Sequence, residues 1–332
     1  MRKHRPAGFT MVELMVVILI VGMLMALLVM AVQSSRESAR KSQCLHRMRG
    51  IAIAINQYEA TANHYPGFRH YPYHAIALGT NQRIAYATGW FPPLFDLLGL
   101  GQLAAPDLKF GWKQPQVIGT ESFSYAPPLH PKLVCPSDFE KMGYSQYPLT
   151  SFVVNSGRPD STTPTKAWPS DWRSNGIFVD LLPHRGNRNN TVKTWRGAES
   201  MSASFVGKYD GLSMTLMLTE NLQATAWYSA QEPSNSFVFV DPADVSGKVI
   251  NGPGFDAAKF GNYATARPSS NHNGGVNVVF ADESGRFLRD DIDYDVYCAL
   301  MTSNGKAARE PGRITPSASA IINPPQIALD DL

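Results

Sequence analysis

The sequence predicts an α+β fold in which one long N-terminal helix, first membrane-spanning and then amphipathic, packs on an antiparallel β-sheet head with long loops. Three observations support this prediction. Residues 14–32 are an uncharged apolar run, and residues 33–63 contain no proline and a single glycine, Gly50. From residue 65 onward, short β-prone runs alternate with segments rich in Gly, Pro, Asn and Ser, a composition typical of strands joined by turns and loops.

The composition is that of a folded protein with a sizeable core. The chain has 332 residues, of which 44% are hydrophobic and 17% charged, and only 3 are cysteine. It is too apolar for an intrinsically disordered protein and too poor in cysteine for a small disulfide-stapled domain. The formal net charge is +3. Because no basic run is interleaved with aromatic residues, we expect no nucleic-acid partner.

The apolar run is long enough to cross a membrane. It has 19 residues, which at about 1.5 Å per residue is close to the roughly 30 Å of a hydrocarbon core. It exceeds the roughly 7–15 apolar residues of a secretory signal peptide, although a cleaved signal peptide and a buried helix stay open as alternatives. Basic residues lie on both sides of the run, so the positive-inside rule does not decide its orientation.

Glu13 stands at the head of the apolar run. An unpaired carboxylate at membrane depth costs roughly 2.5–3.5 kcal/mol, so Glu13 requires a cationic partner. A short basic leader precedes it, followed by Gly8, Phe9 and Thr10. This order of residues resembles the N-terminus of type IV pilins and type II secretion pseudopilins.

The resemblance implies a processing site, an assembly contact and a location. A prepilin peptidase would cut between Gly8 and Phe9, and the new amino group of Phe9 would be methylated. Glu13 would pair with the Phe9 amine of a neighbouring subunit, because a buried ammonium group compensates the charge of a buried carboxylate. The chain would cross the inner (cytoplasmic) membrane once, with the leader in the cytoplasm and the head exported.

After the apolar run, the helical pattern continues as an amphipathic stalk. Its apolar stripe is formed by Leu45, Met48, Ala52, Ile55 and Ala62. One helix over residues 9–63 would be about 80 Å long. The strings at residues 36–40 and 43–44 resemble a large pseudopilin-like subfamily whose head domain has no assigned function. Many of its members carry a proline where this chain has Met30, so here we expect an unbroken helix.

These patterns divide the chain into segments. We predict a leader over residues 1–8, a transmembrane half of the helix over 9–32, a stalk half over 33–64, a β-rich pseudopilin-like head over 65–310 and a Ser/Pro-rich tail over 311–332. Strands of the head are predicted at 151–155, 176–180, 213–220 and 236–240. A hairpin is predicted from 276–281 and 286–288, and a helix over 292–301 that is capped near Asp290–Asp293.

His272 and Asp282 are separated by nine residues, which resembles a His-x9-Asp-Gly motif of the same subfamily. Here Glu283 replaces the glycine, so we expect Ser284 and Gly285 to take the positive φ of the turn. We assign His272 and Asp282 structural roles in the turns around one strand, with acid–base catalysis as the alternative. Further strings resemble the subfamily at residues 135–138, 175–178 and 210–213 and at Glu220.

No motif of a nucleophile elbow, a zinc protease or a phosphate-binding loop occurs in the sequence, so we predict that the chain is not an enzyme. Its 8 histidines show no metal-ligand spacing, so no metal site is predicted from them. Asp291, Asp293 and Asp295 alternate as calcium ligands do, although Val296 stands where a calcium loop requires glycine. A capped helix start is the alternative there, and no other cofactor is expected.

The 3 cysteines make an odd number. In an exported protein, one disulfide and one buried thiol is the simplest arrangement. Because Cys44 and Cys135 both lie in strings that resemble the subfamily, we predict that a disulfide between them joins the stalk to the head. Three buried free thiols are the alternative.

The resemblance implies a structural function. The chain would be a pseudopilin-like subunit, assembled through its N-terminal helix into a filament like that of type II secretion or a type IV pilus. Its partners would be the prepilin peptidase, the inner membrane, and copies of itself or other pseudopilins. The alternative is a membrane-anchored surface module that binds a glycan or an exported protein and does not polymerise.

Overall fold

The computed structural model describes residues 10–76, 83–101, 129–143, 148–159, 172–181, 200–239, 250–251 and 263–308. Within these residues, one long helix packs on a five-stranded sheet. The α+β fold with a long N-terminal helix is therefore confirmed. The predicted leader, its cleavage site between Gly8 and Phe9, and the predicted tail lie outside the described residues.

The helices and strands follow one another in mixed order along the chain. The α-helices are α1 (Met11–Ala62), α2 (Phe139–Gly143), α3 (Ala203–Lys208), α4 (Glu232–Asn235) and α5 (Tyr294–Met301). The strands are β1 (Arg69–Ile76), β2 (Arg83–Gly89), β3 (Phe152–Gly157), β4 (Leu216–Glu220), β5 (Ser236–Val238), β6 (Gly275–Phe280) and β7 (Gly285–Arg289). Short 3₁₀ turns lie at Pro92–Leu94, Pro131–Leu133, Tyr263–Thr265 and Gly305–Ala307.

Helix α1 is continuous over 52 residues. It passes through Met30 without a break, as expected where no proline interrupts the hydrogen bonds. The helix ends at Asn63, which takes the left-handed conformation (φ 59°) and donates its N–H to the carbonyl oxygen of Glu59 at 2.7 Å. Every described residue before residue 37 is exposed, and buried positions begin at Cys44. The helix therefore has one exposed half and one half packed on the head.

The five strands are ordered β5-β3-β4-β6-β7. Neighbouring strands are antiparallel except for β3 and β5, which are parallel. The predicted antiparallel sheet is thus corrected to a mixed one. Glu220 at the end of β4 pairs with Phe152 at the start of β3. After β4, the chain passes through α4 and enters β5 from the end where β3 begins. Strand β5 therefore runs parallel to β3.

Both faces of the sheet are covered. On one face, Met48, Ile51, Ala52 and Ile55 of α1 pack into a core with strand residues that include Phe152, Val154, Leu218 and Val279. On the other face, Val153, Leu216, Val276, Val278 and Phe280 pack with Tyr297, Leu300 and Met301 of α5. The alternation along each strand follows from the period of two residues. Three residues of the predicted stalk stripe, Met48, Ala52 and Ile55, are fully buried by this packing.

The run at residues 176–180 is buried but does not form the predicted strand. The N–H groups of Ile177 and Phe178 both donate to the carbonyl oxygen of Asn155, at 3.2 and 2.9 Å. In backbone pairing, Asp180 takes part in an isolated bridge with Arg69 and not in a strand. The prediction was wrong because a short apolar run indicates burial, and burial alone does not distinguish a strand from a coil in the core. The antiparallel pair of β1 and β2 was not predicted.

The predicted hairpin and helix at the end of the head are confirmed. Strands β6 and β7 pair antiparallel, and α5 begins after Asp293, whose carboxylate accepts from the N–H groups of Asp295 and Val296 at 2.8 and 3.4 Å.

The hairpin turn differs from the prediction in the residue that takes the positive φ. Glu283, and neither Ser284 nor Gly285, takes the positive φ of 68°. Gly285 is required for a different reason, because a Cβ there would lie 2.7 Å from Cδ1 of Leu45 on α1. The side chain of Glu283 accepts from Nδ2 of Asn56 at 2.9 Å, and its carbonyl oxygen accepts from Nε of Arg49 at 3.2 Å. The turn is thereby held against the stalk.

The left-handed conformation at Glu283 predicts a ranking of two variants. Glu283→Ala and Glu283→Gly both remove the acceptor for Asn56, but only glycine adopts a positive φ without steric cost. We expect the free energy of unfolding of E283G to exceed that of E283A by about 1 kcal/mol. At Ser284, whose φ is not positive, the order should reverse, with alanine more stable than glycine. Denaturant unfolding of the full chain in detergent measures both; equal stability of the two Glu283 variants would contradict the argument.

Candidate functional site

The exposed half of α1 is one candidate functional surface. Its large apolar side chains from Met11 to Val32 are exposed, and among the described residues α1 is the helix long and apolar enough to cross a membrane. The carboxylate of Glu13 is turned back onto Thr10, accepting from its N–H at 2.8 Å and its hydroxyl at 2.7 Å. Together with the Thr10 hydroxyl, which accepts from the N–H of Glu13, these bonds form a capping box.

A second candidate site lies where the stalk meets the head. Cys44, Cys135, Glu220 and His272, which we call the junction cluster, each place one sulfur, oxygen or nitrogen atom within 4.8 Å of the others. Cys44 lies on α1, and Glu220 is the last residue of β4. Cys135 follows the 3₁₀ turn Pro131–Leu133, and His272 lies in the loop before β6. Four separate segments therefore meet at one buried point.

Direct contacts connect the members of the junction cluster. Nε2 of His272 lies 3.1 Å from Oε1 of Glu220 and 3.5 Å from Sγ of Cys135. The thiol of Cys44 also contacts Oε1 of Glu220. The other carboxylate oxygen of Glu220 accepts from the N–H of Asn277 at 2.9 Å, which orients Oε1 into the cluster.

Glu37 of α1 borders the junction cluster. Its Oε1 lies 2.6 Å from Nδ1 of His272, and both of its oxygens accept from the hydroxyl of Ser137, at 3.1 and 3.2 Å. Both ring nitrogens of His272 thus face a carboxylate, Glu37 on one side and Glu220 on the other.

These contacts govern protonation in the junction cluster. Burial lowers the pKa of His272, but its contacts with Cys135, Glu220 and Glu37 outweigh burial and raise the pKa to about 11. Burial acts to raise the pKa of Glu220, but its contacts with His272, Cys44 and Asn277 lower that pKa overall. Burial, with Cys135 and Glu220 nearby, raises the pKa of the Cys44 thiol well above its usual value. The cluster therefore holds an imidazolium–carboxylate pair beside a protonated Cys44.

The structure places His272 and Asp282 at opposite ends of β6, so they do not form a pair. Oδ1 of Asp282 accepts from the N–H and the hydroxyl of Ser284, at 2.9 and 2.5 Å, as a turn residue does. The ring of His272, expected to serve only a turn, lies instead in the junction cluster.

The three cysteines are free thiols, so the disulfide predicted between Cys44 and Cys135 is not formed in the structure. The two are nevertheless brought into the same cluster, because α1 packs beside the loop that carries Cys135. Cys298 packs in the core on the other face of the sheet.

The calcium candidates have other contacts. Asp293 caps α5, and Asp291 accepts from the guanidinium group of Arg289 at 2.9 and 2.5 Å. Asp295 is the residue whose N–H is capped by Asp293. Calcium binding at these residues stays a prediction.

Comparison with known proteins identifies two regions of the chain. Residues 33–295 match the family described as "Protein of unknown function (DUF1559)". The chain belongs to this family. Residues 3–29 match the prokaryotic N-terminal methylation motif, so the DUF1559 region begins just after the motif and contains the stalk and most of the head.

Two curated relatives resemble a shorter part of the chain. Over 66 residues it is 35% identical to the type II secretion system core protein G of Aeromonas hydrophila, and it matches that of Pseudomonas aeruginosa at the same identity and length. Each match covers 20% of this chain and 46% of the relative, so the chain spans about half the length of the curated relatives it matches. No solved structure matches the chain. The similarity is to structural, typically non-enzymatic proteins and is consistent with a single membrane anchor.

Sequence reasoning missed the junction cluster because its successive members are separated by 91, 85 and 52 positions along the chain and follow no ligand spacing. A signal was nevertheless present. Each member lies in one of the strings that resemble the DUF1559 subfamily: 43–44, 135–138, the strand ending at Glu220, and the motif that starts at His272. The packing of α1 on the sheet brings these strings together.

The burial of Glu220 predicts a large effect of its removal. Glu220→Ala leaves the imidazolium of His272 without one of its two carboxylates and the N–H of Asn277 without its acceptor. We expect the free energy of unfolding to fall by about 3–5 kcal/mol, as when one partner of a buried ion pair is lost. The control is Glu59→Ala. Glu59 is half-buried and accepts a single hydrogen bond from the N–H of Ala203 at 2.9 Å, so this variant should lose about 1 kcal/mol. Similar losses at both positions, measured by denaturant unfolding, would contradict a special role of the cluster.

Proposed function

We propose that the chain is a pseudopilin-like structural subunit that is processed by a prepilin peptidase between Gly8 and Phe9. It is assembled through α1 into a filament like that of type II secretion or a type IV pilus. The observation that carries this proposal is the methylation motif over residues 3–29, together with a helix α1 whose first half is apolar and exposed. Exposed apolar surface of this extent requires lipid or other helices around it.

The position of Glu13 supports assembly through helix contacts. Among the described residues of one subunit, the carboxylate of Glu13 forms the hydrogen bonds of the capping box with Thr10, which do not neutralise its charge. In a filament, the protonated amine of Phe9 on a neighbouring subunit would supply the compensating positive charge. Two opposite charges that are buried together are tolerated where a single buried charge is not. We propose this exchange of partners as the step that selects correct packing.

The continuity of α1 supports a mechanical role. A helix without a break at Met30 connects the membrane half to the stalk half, which is buried against the head. We propose that the helix lies in the inner membrane with the leader in the cytoplasm and the head exported. Displacement of the membrane half during assembly would then move the head with it.

Processing predicts a defined N-terminus. In cells that contain a prepilin peptidase, we expect the chain to begin at methylated Phe9, as measured by mass spectrometry of the purified protein. Gly8→Val should leave the leader attached, because a β-branched side chain replaces the residue without a side chain at the cleaved bond. A chain that begins after residue 32 would instead show that the apolar run is a cleaved signal peptide.

Substitutions of Glu13 separate charge pairing from capping. Glu13→Gln keeps an oxygen that accepts from Thr10 but removes the charge, and Glu13→Ala removes both. With cysteine pairs introduced among the exposed residues 15–28, we expect crosslinks between neighbouring subunits in wild type and their loss in both variants. The control is Glu59→Gln in the stalk half of the same helix, which should crosslink as wild type does.

Two outcomes would overturn this role of Glu13. Crosslinks retained in E13Q but lost in E13A would show that only the cap matters. No crosslinks in the wild type, with the chain processed and in the membrane, would favour an anchored binding module that does not polymerise.

A further inference from the structure

We propose that the junction cluster binds one divalent transition-metal ion of the zinc class, and that this ion joins the stalk helix to the head. Cys44, Cys135, Glu220 and His272 together offer two sulfurs, one imidazole nitrogen and one carboxylate oxygen. Thiolate and imidazole ligands select zinc and related metals, whereas calcium and magnesium prefer oxygen ligands alone.

The spacing of the four donor atoms fits a tetrahedral site. With metal–ligand bonds of about 2.0–2.3 Å, the ligand atoms of a tetrahedron lie about 3.3–3.8 Å apart. The distances from Nε2 of His272 are 3.1 Å to Oε1 of Glu220 and 3.5 Å to Sγ of Cys135, and all four donor atoms are within 4.8 Å of one another. Shifts of up to about 1 Å between donor atoms would bring all four to the edge lengths of a tetrahedral site.

The surroundings orient the ligands as the outer shell of a metal site does. A metal-bound histidine usually donates its other ring N–H to a carboxylate. Nδ1 of His272 lies 2.6 Å from Oε1 of Glu37, which leaves Nε2 to face the cluster. Glu37 itself accepts a hydrogen bond from Ser137. The carboxylate oxygen of Glu220 that does not face the cluster accepts from the N–H of Asn277. The ring of His272 and the carboxylate of Glu220 are therefore held in orientation.

Burial indicates a structural site. All four side chains belong to residues that are 3% exposed or less, and all four tetrahedral positions are supplied by the protein. A catalytic zinc site keeps one position open for water or substrate, whereas a structural one is closed. Because the ligands come from α1, from β4 and from two loops, the free energy of metal binding would stabilise the contact between stalk and head.

Metal binding in the junction cluster would exchange protons for the ion. On binding, the two thiols and the imidazolium lose one proton each, so that one divalent ion enters and three protons leave. The resulting centre carries two thiolates and the carboxylate of Glu220 around the ion.

A disulfide between Cys44 and Cys135 is the competing state, because it would consume both sulfurs. With both sulfurs in a disulfide, Glu220 and His272 would remain as an ion pair with each other, and the sulfurs would not use their alignment on the same point. The metal site uses all four residues and the two outer contacts, and we therefore infer the metal-bound state.

Metal analysis of the full chain in detergent tests the proposal. The protein is purified under reducing conditions, and its zinc content is measured by mass spectrometry. It is then stripped with a chelator and titrated with Co²⁺. We expect about one metal ion per chain, as for a closed four-ligand site, together with the thiolate-to-cobalt absorption and the intense visible bands of tetrahedral Co²⁺.

Three variants test the ligands against a matched control. Cys44→Ser and Cys135→Ser should lose the cobalt–thiolate absorption or weaken it. Cys298→Ser should keep it, because Cys298 is equally buried but lies on the other face of the sheet. Glu37→Gln should still bind the metal, with an affinity reduced by about 10–100-fold, as expected of an outer-shell partner.

Several results would overturn the proposal. They are a folded, reduced wild type that shows no cobalt–thiolate absorption, an equal loss in C298S, or a Cys44–Cys135 disulfide found by non-reducing peptide mapping of the protein from cells. The wild-type titration decides the matter if a serine variant does not fold, and circular dichroism reports folding in each case. None of these measurements involves filament assembly, so they do not depend on the function proposed above.

Discussion

The burial of one stripe of α1 against the sheet is the contact on which the rest of the structure depends. Met48, Ile51 and Ile55 are almost completely buried there, whereas the same helix exposes all of its first half. Both faces of the sheet carry apolar side chains, so each face needs another element packed on it. Helix α1 covers one face and α5 packs on the other. The stalk half of α1 is therefore part of the core of the head, and removing it would expose that core.

Polar contacts along α1 extend this dependence to the loops of the head. Arg47 donates to the carbonyl oxygens of Pro131 and Val134, at 2.7 and 2.5 Å, and Glu59 holds the start of α3 through the N–H of Ala203. These segments have little regular structure of their own, so their backbone groups need partners elsewhere. The junction cluster lies among these contacts and connects α1 with β4 and two loops at one point. These contacts couple the position of the stalk half of α1 to that of the head.

The hairpin shows which features the hydrophobic pattern of the sequence predicts and which it does not. The alternation of apolar residues around 276–288 predicted both strands and the turn correctly, because period and turn composition are local properties. The residue with positive φ was assigned wrongly. Glycine is the default for that conformation, but Gly285 is needed for the close approach of Leu45, and Glu283 takes the left-handed conformation while it contacts Asn56. Both facts depend on where α1 lies.

The sequence by itself determined the long helix, its division into an apolar and an amphipathic half, and most strands, because hydrophobic periodicity and breaker residues act over short stretches of chain. It also determined the resemblance to pseudopilins through Gly8, Phe9 and Glu13. Only the tertiary structure decided the parallel pairing of β5 with β3 and the coil at residues 176–180. It alone decided the meeting of Cys44 and Glu220 with His272. Those features depend on which distant segments pack together, and such packing produces no periodic pattern of residues in the sequence.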